Sequence, residues 1–187
     1  MFDWLRHCDR ELFLILNSYH NNAFDWIMWH LSDTKTWIPL YLFLIFKIFK
    51  KYPRKTVWYV LGTITVSVAL SNFISSEVLK NTVCRLRPSH VPELQKYIHL
   101  VKDYTGGQYG FASSHAANTA AIACTVSYFF PKKWIYINSG IWALAIAYSR
   151  IYLGVHYPGD VVAGIVIGIC ISSLCIYLFT VLVKHKV

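Results

Sequence analysis

The uncharged apolar segment Val161–Val183 limits the folds that are open to this chain. It contains no Asp, Glu, Lys or Arg. A helix of about 20 apolar residues is long enough to cross the hydrocarbon core of a bilayer. Because only helices and closed barrels satisfy their backbone hydrogen bonds inside lipid, this segment predicts a membrane-spanning helix.

Four further apolar segments support the same interpretation. They are Trp37–Phe49, Val57–Leu79, His115–Phe130 and Trp134–Tyr148, and the last span is taken to begin at Asp160. Apolar residues make up 56% of the 187 residues, which is high for a soluble domain. We therefore predict an all-α integral membrane protein, with one domain of about five transmembrane helices covering residues 1–187.

The N-terminal part of the chain has a different pattern. Residues 3–20 mix apolar and charged side chains at roughly helical spacing, which is typical of an amphipathic helix in the membrane interface. Asn17–Asn22 interrupts this helix, and the short Phe24–Leu31 segment carries the Trp residues that interfaces favour. We predict interfacial helices over residues 1–33.

The charge distribution predicts an orientation. The turns at residues 47–55 and 131–133, with the C-terminal residues 184–186, contain nine Lys and Arg and no acid. All nine acids and the other nine Lys and Arg fall on the opposite side. Short basic turns are typical of the cytoplasmic face, so residues 84–112 are predicted to form an extracytoplasmic loop.

The net charge of the chain is +9, which could indicate a nucleic-acid-binding protein. The sequence has no basic stripe with interleaved aromatic residues, so no nucleic-acid partner is expected.

Three polar groups of residues stand at the ends of the apolar segments. Lys80 and Arg87 are seven residues apart, so on a continued helix ended by Pro88 they would share a face. Ser113, Ser114 and His115 open the third span, where a serine cap and free helix amides favour phosphate. Taken singly, snorkelling side chains and a plain cap explain both groups.

The third group lies between the last two spans. Arg150 ends the fourth span, and His156 and Asp160 are four residues apart across Pro158 and Gly159. A carboxylate that holds one imidazole nitrogen fixes the tautomer and leaves the other nitrogen free to attack. The alternative is that Asp160 only caps the fifth helix.

The joint occurrence of the three groups favours a phosphate site. Three cations, two histidines and one carboxylate at one membrane face are difficult to explain as unrelated helix ends. A His/His/Asp metal site is the chemical alternative, but the neighbouring Lys and Arg would repel a divalent cation. We therefore expect no metal ion and no cofactor.

These motifs resemble the type 2 phosphatidic acid phosphatase (PAP2) family, which is related to the vanadium haloperoxidases. The family signature reads Lys-x6-Arg-Pro, Pro-Ser-Gly-His and Ser-Arg-x5-His-x3-Asp. This chain has Lys80…Arg87-Pro88, Ala112-Ser113-Ser114-His115 and Ser149-Arg150…His156…Asp160. Ala112 and Ser114 depart from the family's Pro and Gly. The second change has a conformational consequence, because Gly reaches backbone angles that Ser adopts only with strain.

The resemblance implies a helical membrane enzyme that dephosphorylates a membrane lipid without a metal ion. It implies that His156 attacks phosphorus to form a phosphohistidine, that Asp160 orients it, and that His115 protonates the leaving oxygen and then activates water. The implied phosphate-binding residues are Lys80, Arg87, Ser113, Ser114 and Arg150. Phosphoryl transfer depends mainly on positioning and charge stabilisation, which such a cluster supplies.

The substrate stays open at this stage. In bacteria the resemblance suggests an enzyme of the inner membrane with its site facing the periplasm, and undecaprenyl diphosphate is the leading expectation. Lipid A and phosphatidylglycerol phosphate are the alternatives. A non-enzymatic scaffold that binds anionic headgroups would need the cations but no oriented His156. A transporter is disfavoured, because the spans lack acids at mid-depth.

Overall fold

The computed structural model describes residues 2–184, so Lys186, which entered the orientation argument, lies outside the described residues. Within that part the regular structure is helical. The β-structure there is limited to one isolated bridge between Leu86 and Tyr109. The helices are α1 (Phe2–Ser18), α2 (Asn22–Ser32), α3 (Ile38–Lys51), α4 (Arg54–Phe73), α5 (Leu79–Val83), α6 (Ser114–Phe129), α7 (Lys133–Tyr152) and α8 (Pro158–Lys184). The predicted all-α class is confirmed.

The five predicted spans coincide with helices of the structure. The second span corresponds to α4 and α5 together, and the other four correspond to α3, α6, α7 and α8. A π-helical turn, Ile74–Val78, joins α4 to α5, so Arg54–Val83 forms one continuous rod. This rod and Pro158–Leu182 are the two helices in the described chain that are long and apolar enough to cross a membrane by themselves. Large apolar side chains are exposed on the outer helices, as lipid-facing helices require, including Phe46, Trp58, Leu144 and Leu174.

Helix α6 forms the centre of the bundle, where α4, α7 and α8 pack against it. Its buried face is built largely of alanine. Gly164 and Gly168 of α8 face it so closely that a Cβ at either position would overlap the carbonyl oxygen of Ser113 or Ala117. Small residues allow two membrane helices to approach at backbone distance. This close packing places the first turn of α8 beside the first turn of α6.

The two basic turns meet at one end of the bundle. Lys51 Nζ and Tyr52 Oη both donate a hydrogen bond to the Phe129 carbonyl oxygen, each at 2.6 Å. The α3–α4 turn therefore contacts the end of α6, where the α6–α7 turn begins. The prediction that these two turns share one face is confirmed. The opposite end carries α1, α2, the 84–112 loop and the starts of α6 and α8.

Helix α1 docks on that opposite end. Phe13 is fully buried, and its ring lies 5.4 Å from the ring of Tyr157. The buried Asn17 side chain donates to the Tyr152 carbonyl at 2.8 Å and accepts from the His99 amide at 2.7 Å. Trp4, Leu5, Leu12 and Ile15 are exposed, as an interfacial helix requires. One face of α1 thus fixes the end of α7 and the long loop.

The helix that carries Lys80 ends at Val83, so the prediction of a continued helix as far as Arg87 is wrong. Cys84 has a left-handed φ of 48°, and the chain then runs extended. The Arg87 amide donates to the Gln108 carbonyl at 3.1 Å, in a short antiparallel pairing of the two ends of the loop. Pro88 favours the extended conformation of Arg87, because the helical region is disfavoured for a residue before proline.

Candidate active site

Three cationic side chains converge from three elements of the fold: Lys80 on α5, Arg87 in the long loop and Arg150 near the end of α7. Arg87 and Arg150 are buried, with 7% and 3% of their surface exposed. Neither forms an ion pair with a carboxylate anywhere in residues 2–184. A buried charge without a partner is costly. The arrangement is therefore suited to an anion that comes from outside the chain.

Both buried guanidinium groups are partly held by the protein and partly free. Arg87 Nε donates to the Tyr109 carbonyl at 3.0 Å. Arg150 donates to Ser32 Oγ and, at 3.4 Å, to Tyr104 Oη. Arg87 Nη1 and Arg150 Nε are buried and have no hydrogen-bond partner in the described chain. Buried donors of this kind are rare, and here they suit the oxygens of a phosphate.

His156 lies in the short link between α7 and α8 and is almost fully buried. Burial lowers the pKa of His156 well below its ordinary value, and the positive charges of Arg87, Arg150 and Lys80 lower it further. The imidazole is therefore neutral at neutral pH, and the neutral ring is the form that can attack an electrophile. Because their charges act on the pKa of His156, Arg87, Arg150 and Lys80 all lie near its ring.

Asp160 is the third residue of α8, which begins at Pro158, two residues before the predicted start. Its Oδ2 accepts from the Tyr157 amide at 3.0 Å and so caps the helix. His156 Nδ1 lies 3.5 Å from the same oxygen and makes no hydrogen bond in the described chain. At this separation the predicted direct hydrogen bond is not formed; Asp160 accepts instead from the Tyr157 amide and from Arg85. Catalytic hydrogen bonds are often long before substrate binds.

Arg85 is the site residue that sequence reasoning missed, since it falls within the predicted 84–112 loop and outside the three motifs. Arg85 donates to Asp160 Oδ1 at 2.9 Å and to Asp9 Oδ2 at 2.7 Å, and it lies 4.0 Å from the Tyr157 ring centre. Asp9 also accepts from the Gly159 amide at 2.7 Å. If the segment before Pro88 had been predicted as extended, Arg85 would have been placed beside Arg87, because residues two apart on an extended segment share a face.

The second motif begins α6. Ser113 is its N-cap, with Oγ 3.5 Å from the Ala116 amide, and the Ser113 amide donates to the Asp160 carbonyl at 2.9 Å. Ser114 is the first helical residue and is not among those with positive φ, so the replaced glycine leaves no left-handed strain. Its hydroxyl accepts from Lys80 Nζ at 3.0 Å and contacts Ser76 Oγ at 2.6 Å.

His115 faces a cavity of about 310 Å³ at this end of the bundle. The cavity is lined by Trp29, Ser32, Asp33, Thr34, Tyr104, His115, Arg150 and Leu153. The N-terminal helices and the long loop therefore supply most of its wall. All eight residues predicted for the site lie at this end, around the starts of α6 and α8.

The donor set of the site differs from that of a metal centre. In residues 2–184, no three His, Cys, Asp or Glu side chains lie close enough together to hold a metal ion. What the site offers is cations, free guanidinium donors and a neutral histidine beside a carboxylate. This is the donor set that phosphoryl transfer requires.

Comparison with known proteins gives the family. The family model for the PAP2 superfamily matches residues 56–184. A lipid A 4′-phosphatase of Bacteroides thetaiotaomicron is 33% identical over 170 residues, which cover 90% of this chain and 75% of the relative. A lipid A 4′-phosphatase of Porphyromonas gingivalis is 32% identical, covering 95% and 76%. An undecaprenyl-diphosphatase of Sulfolobus acidocaldarius is 31% identical, covering 89% and 76%.

Solved structures share the fold. A transmembrane PAP2-type phosphatidylglycerolphosphate phosphatase from Bacillus subtilis superposes with a TM-score of 0.72 at 24% identity, covering 93% of this chain and 85% of that one. LpxE from Aquifex aeolicus superposes with a TM-score of 0.68 at 25% identity, covering 89% and 93%. The predicted family and helical membrane architecture are confirmed. The chain therefore belongs to the PAP2 superfamily and is a membrane lipid phosphatase.

Proposed function

We propose that the enzyme removes the 4′-phosphate of lipid A. This replaces undecaprenyl diphosphate, the leading expectation from the sequence. The observation that carries the proposal is the similarity to two lipid A 4′-phosphatases, which extends over 90% and 95% of this chain. An undecaprenyl-diphosphatase at 31% identity keeps the diphosphate as the second candidate.

The cavity beside His115 supports a sugar monophosphate over a diphosphate. Trp29 and Tyr104 line the cavity with aromatic rings, and Thr34 and Asp33 line it with polar groups. Aromatic and hydrogen-bonding groups together suit a glucosamine ring. A second phosphate placed near Asp33 would be repelled by its carboxylate, since like charges destabilise each other at short range.

The proposed chemistry has two steps. His156 attacks phosphorus through Nε2, because Nδ1 lies on the side of Asp160. The P–N bond forms, the bond from phosphorus to the sugar oxygen breaks, and His115 gives that oxygen a proton. His115 then takes a proton from water, which attacks the phosphohistidine and releases inorganic phosphate. The histidine is regenerated, so no other reactant is needed.

The phosphoryl oxygens are proposed to be bound by Lys80, Arg87 and Arg150, with the Ser114 hydroxyl and the free amides that begin α6. Ser113 acts through its cap, which shapes this helix start. Oxygens that gain negative charge in the transition state are stabilised by donors already in place, so little reorganisation is needed during the reaction.

A position-specific assay tests the substrate. The purified enzyme is given bisphosphorylated lipid A, lipid A that lacks the 4′-phosphate, or undecaprenyl diphosphate, all in excess EDTA. We expect mass spectrometry to find loss of the 4′-phosphate, with kcat/KM at least about tenfold above that for undecaprenyl diphosphate, because a missing sugar leaves polar groups unpaired. Loss of the 1-phosphate, or faster turnover of undecaprenyl diphosphate, would contradict the substrate assignment. Activity lost in EDTA and restored by a divalent ion would favour the metal alternative.

We further propose that the site faces the periplasm of a bacterial inner membrane. Cys84 is a free, exposed thiol at the site end, so it serves as a native reporter. In a Cys8→Ser background, an impermeant thiol reagent is expected to label Cys84 in intact spheroplasts. As the matched control, Lys133→Cys in a chain without Cys8 and Cys84 should react only after permeabilisation. The reverse pattern would invert the orientation.

A further inference from the structure

A second large cavity lies at the other end of the bundle, away from His156. It has a volume of about 750 Å³ and is bounded by α3, α6 and α7. Apolar side chains form its walls, among them Phe43, Leu44, Val126, Ile135 and Trp142. Below it, α3 is held to the bundle by Ile48, which packs with Val57, Val60 and Phe129. The size is within the range of about 300–1,000 Å³ found for ligand pockets.

Four lysines line this groove: Lys47, Lys50, Lys51 and Lys132. The first three come from the last turns of α3, and Lys132 comes from the α6–α7 turn on the other wall. Lys47 and Lys50 lie 5.3 and 4.9 Å from the ring centres of Phe43 and Phe46, so their stems follow apolar surface. None of the nine acids of the sequence lines the groove. Its positive charge is therefore not compensated by the protein.

We propose that this basic groove binds an anionic phospholipid of the surrounding membrane, with an acyl chain between α3, α6 and α7 and its phosphate at the lysines. Charge complementarity selects this occupant, because an apolar cavity that ends in uncompensated lysines matches a lipid with a negative headgroup. The bound lipid is not a substrate, since its phosphate lies at the opposite end of the bundle from His156. By filling the gap beside α3, it strengthens the attachment of that helix.

Basic turns occur in most membrane proteins, so the prediction must separate this groove from general positive charge. Arg54, Lys55 and Lys133 lie at the same end but do not line the cavity. They provide a control set of equal charge. Lys51 is left unchanged in both sets, because it donates to the Phe129 carbonyl and supports the turn.

The experiment is a lipid titration of the purified full chain in detergent, followed by native mass spectrometry. The wild type and the R54Q/K55Q/K133Q control should bind phosphatidylglycerol on the order of tenfold more tightly than phosphatidylcholine. The K47Q/K50Q/K132Q variant should lose that preference, and the K47R/K50R/K132R variant should retain it. Glycerophosphoglycerol, which lacks acyl chains, should not compete.

An acyl-chain test completes the design. Ile135→Trp narrows the apolar part of the groove without changing its charge. It should weaken the binding of both phospholipids several-fold. Phosphate release in detergent should stay unchanged in every variant, which shows that each one folds and separates this proposal from the catalytic one. Equal binding of the two phospholipids by the wild type, or an equal loss in the control set, would overturn the proposal.

Discussion

Replacement of His156 by alanine is expected to reduce kcat for phosphate release by about 10⁴-fold or more, because a missing covalent nucleophile is rarely replaced. The ring is almost fully buried, so water in its place would lack both the neutral nitrogen and the aligned approach to phosphorus. The measurement is phosphate release from lipid A with purified protein. His7→Ala is the matched control, since His7 is exposed on α1, and its rate should stay within a few-fold of wild type.

The proposed mechanism also predicts a covalent intermediate on His156. An acid-labile, base-stable phosphohistidine should be trapped on the wild-type protein when turnover of substrate labelled in its 4′-phosphate is quenched in base. His115→Ala should slow both the formation and the hydrolysis of this intermediate, because His115 is the proposed acid of the first step and the proposed base of the second. The His156→Ala variant should show no labelled protein at all. A variant that lacks His156 but still forms the phosphoenzyme, or turns over at near the normal rate, would refute the nucleophile assignment.

The spans and the three motifs were predictable because their signals are local. Apolar length decides whether a helix can cross a bilayer, and fixed spacing places Arg150, His156 and Asp160 around one helix boundary. Ser113 was predicted as a cap for the same reason, because the cap depends on residues within one turn. In these regions the local preference and the fold agree.

The part that sequence reasoning missed is tertiary. Arg85 contacts both Asp160 and Asp9, and Asp9 of α1 also accepts from the Gly159 amide at the start of α8. Nothing in the spacing of residues 9 and 159 indicates that contact. The extended path of Arg87 does not follow from its helical spacing to Lys80, because Pro88 disfavours the helical conformation of the residue before it. The cavity beside His115 combines Trp29, Tyr104 and His115 from distant elements, so its shape could not be read from the sequence.

Asp160→Asn is expected to lower kcat by roughly 10³–10⁴-fold, which is the scale seen when a carboxylate that orients a catalytic histidine becomes an amide. The amide oxygen can still accept from Tyr157 and cap α8, but the negative charge beside His156 is lost. An amide group that turns its nitrogen toward His156 Nδ1 would favour the wrong tautomer. Vanadate binding should persist, because the three cations proposed to bind phosphate remain. Loss of vanadate binding together with activity would point instead to a collapsed site.

Arg85→Gln distinguishes positioning from direct phosphate binding, because Arg85 Nη1 donates to Asp160 and Nη2 donates to Asp9. If Arg85 acts through the carboxylate, its removal should cost about 10- to 100-fold in kcat, and the double variant should be no slower than Asp160→Asn alone. Melting temperatures are needed for each variant, since Arg85→Gln leaves a buried carboxylate without its ion-pair partner and should destabilise the fold. If the fold losses in kcat of the two single variants multiply in the double variant, Arg85 acts on the substrate independently of Asp160. The proposed chain of contacts from α1 to His156 would then have no catalytic role.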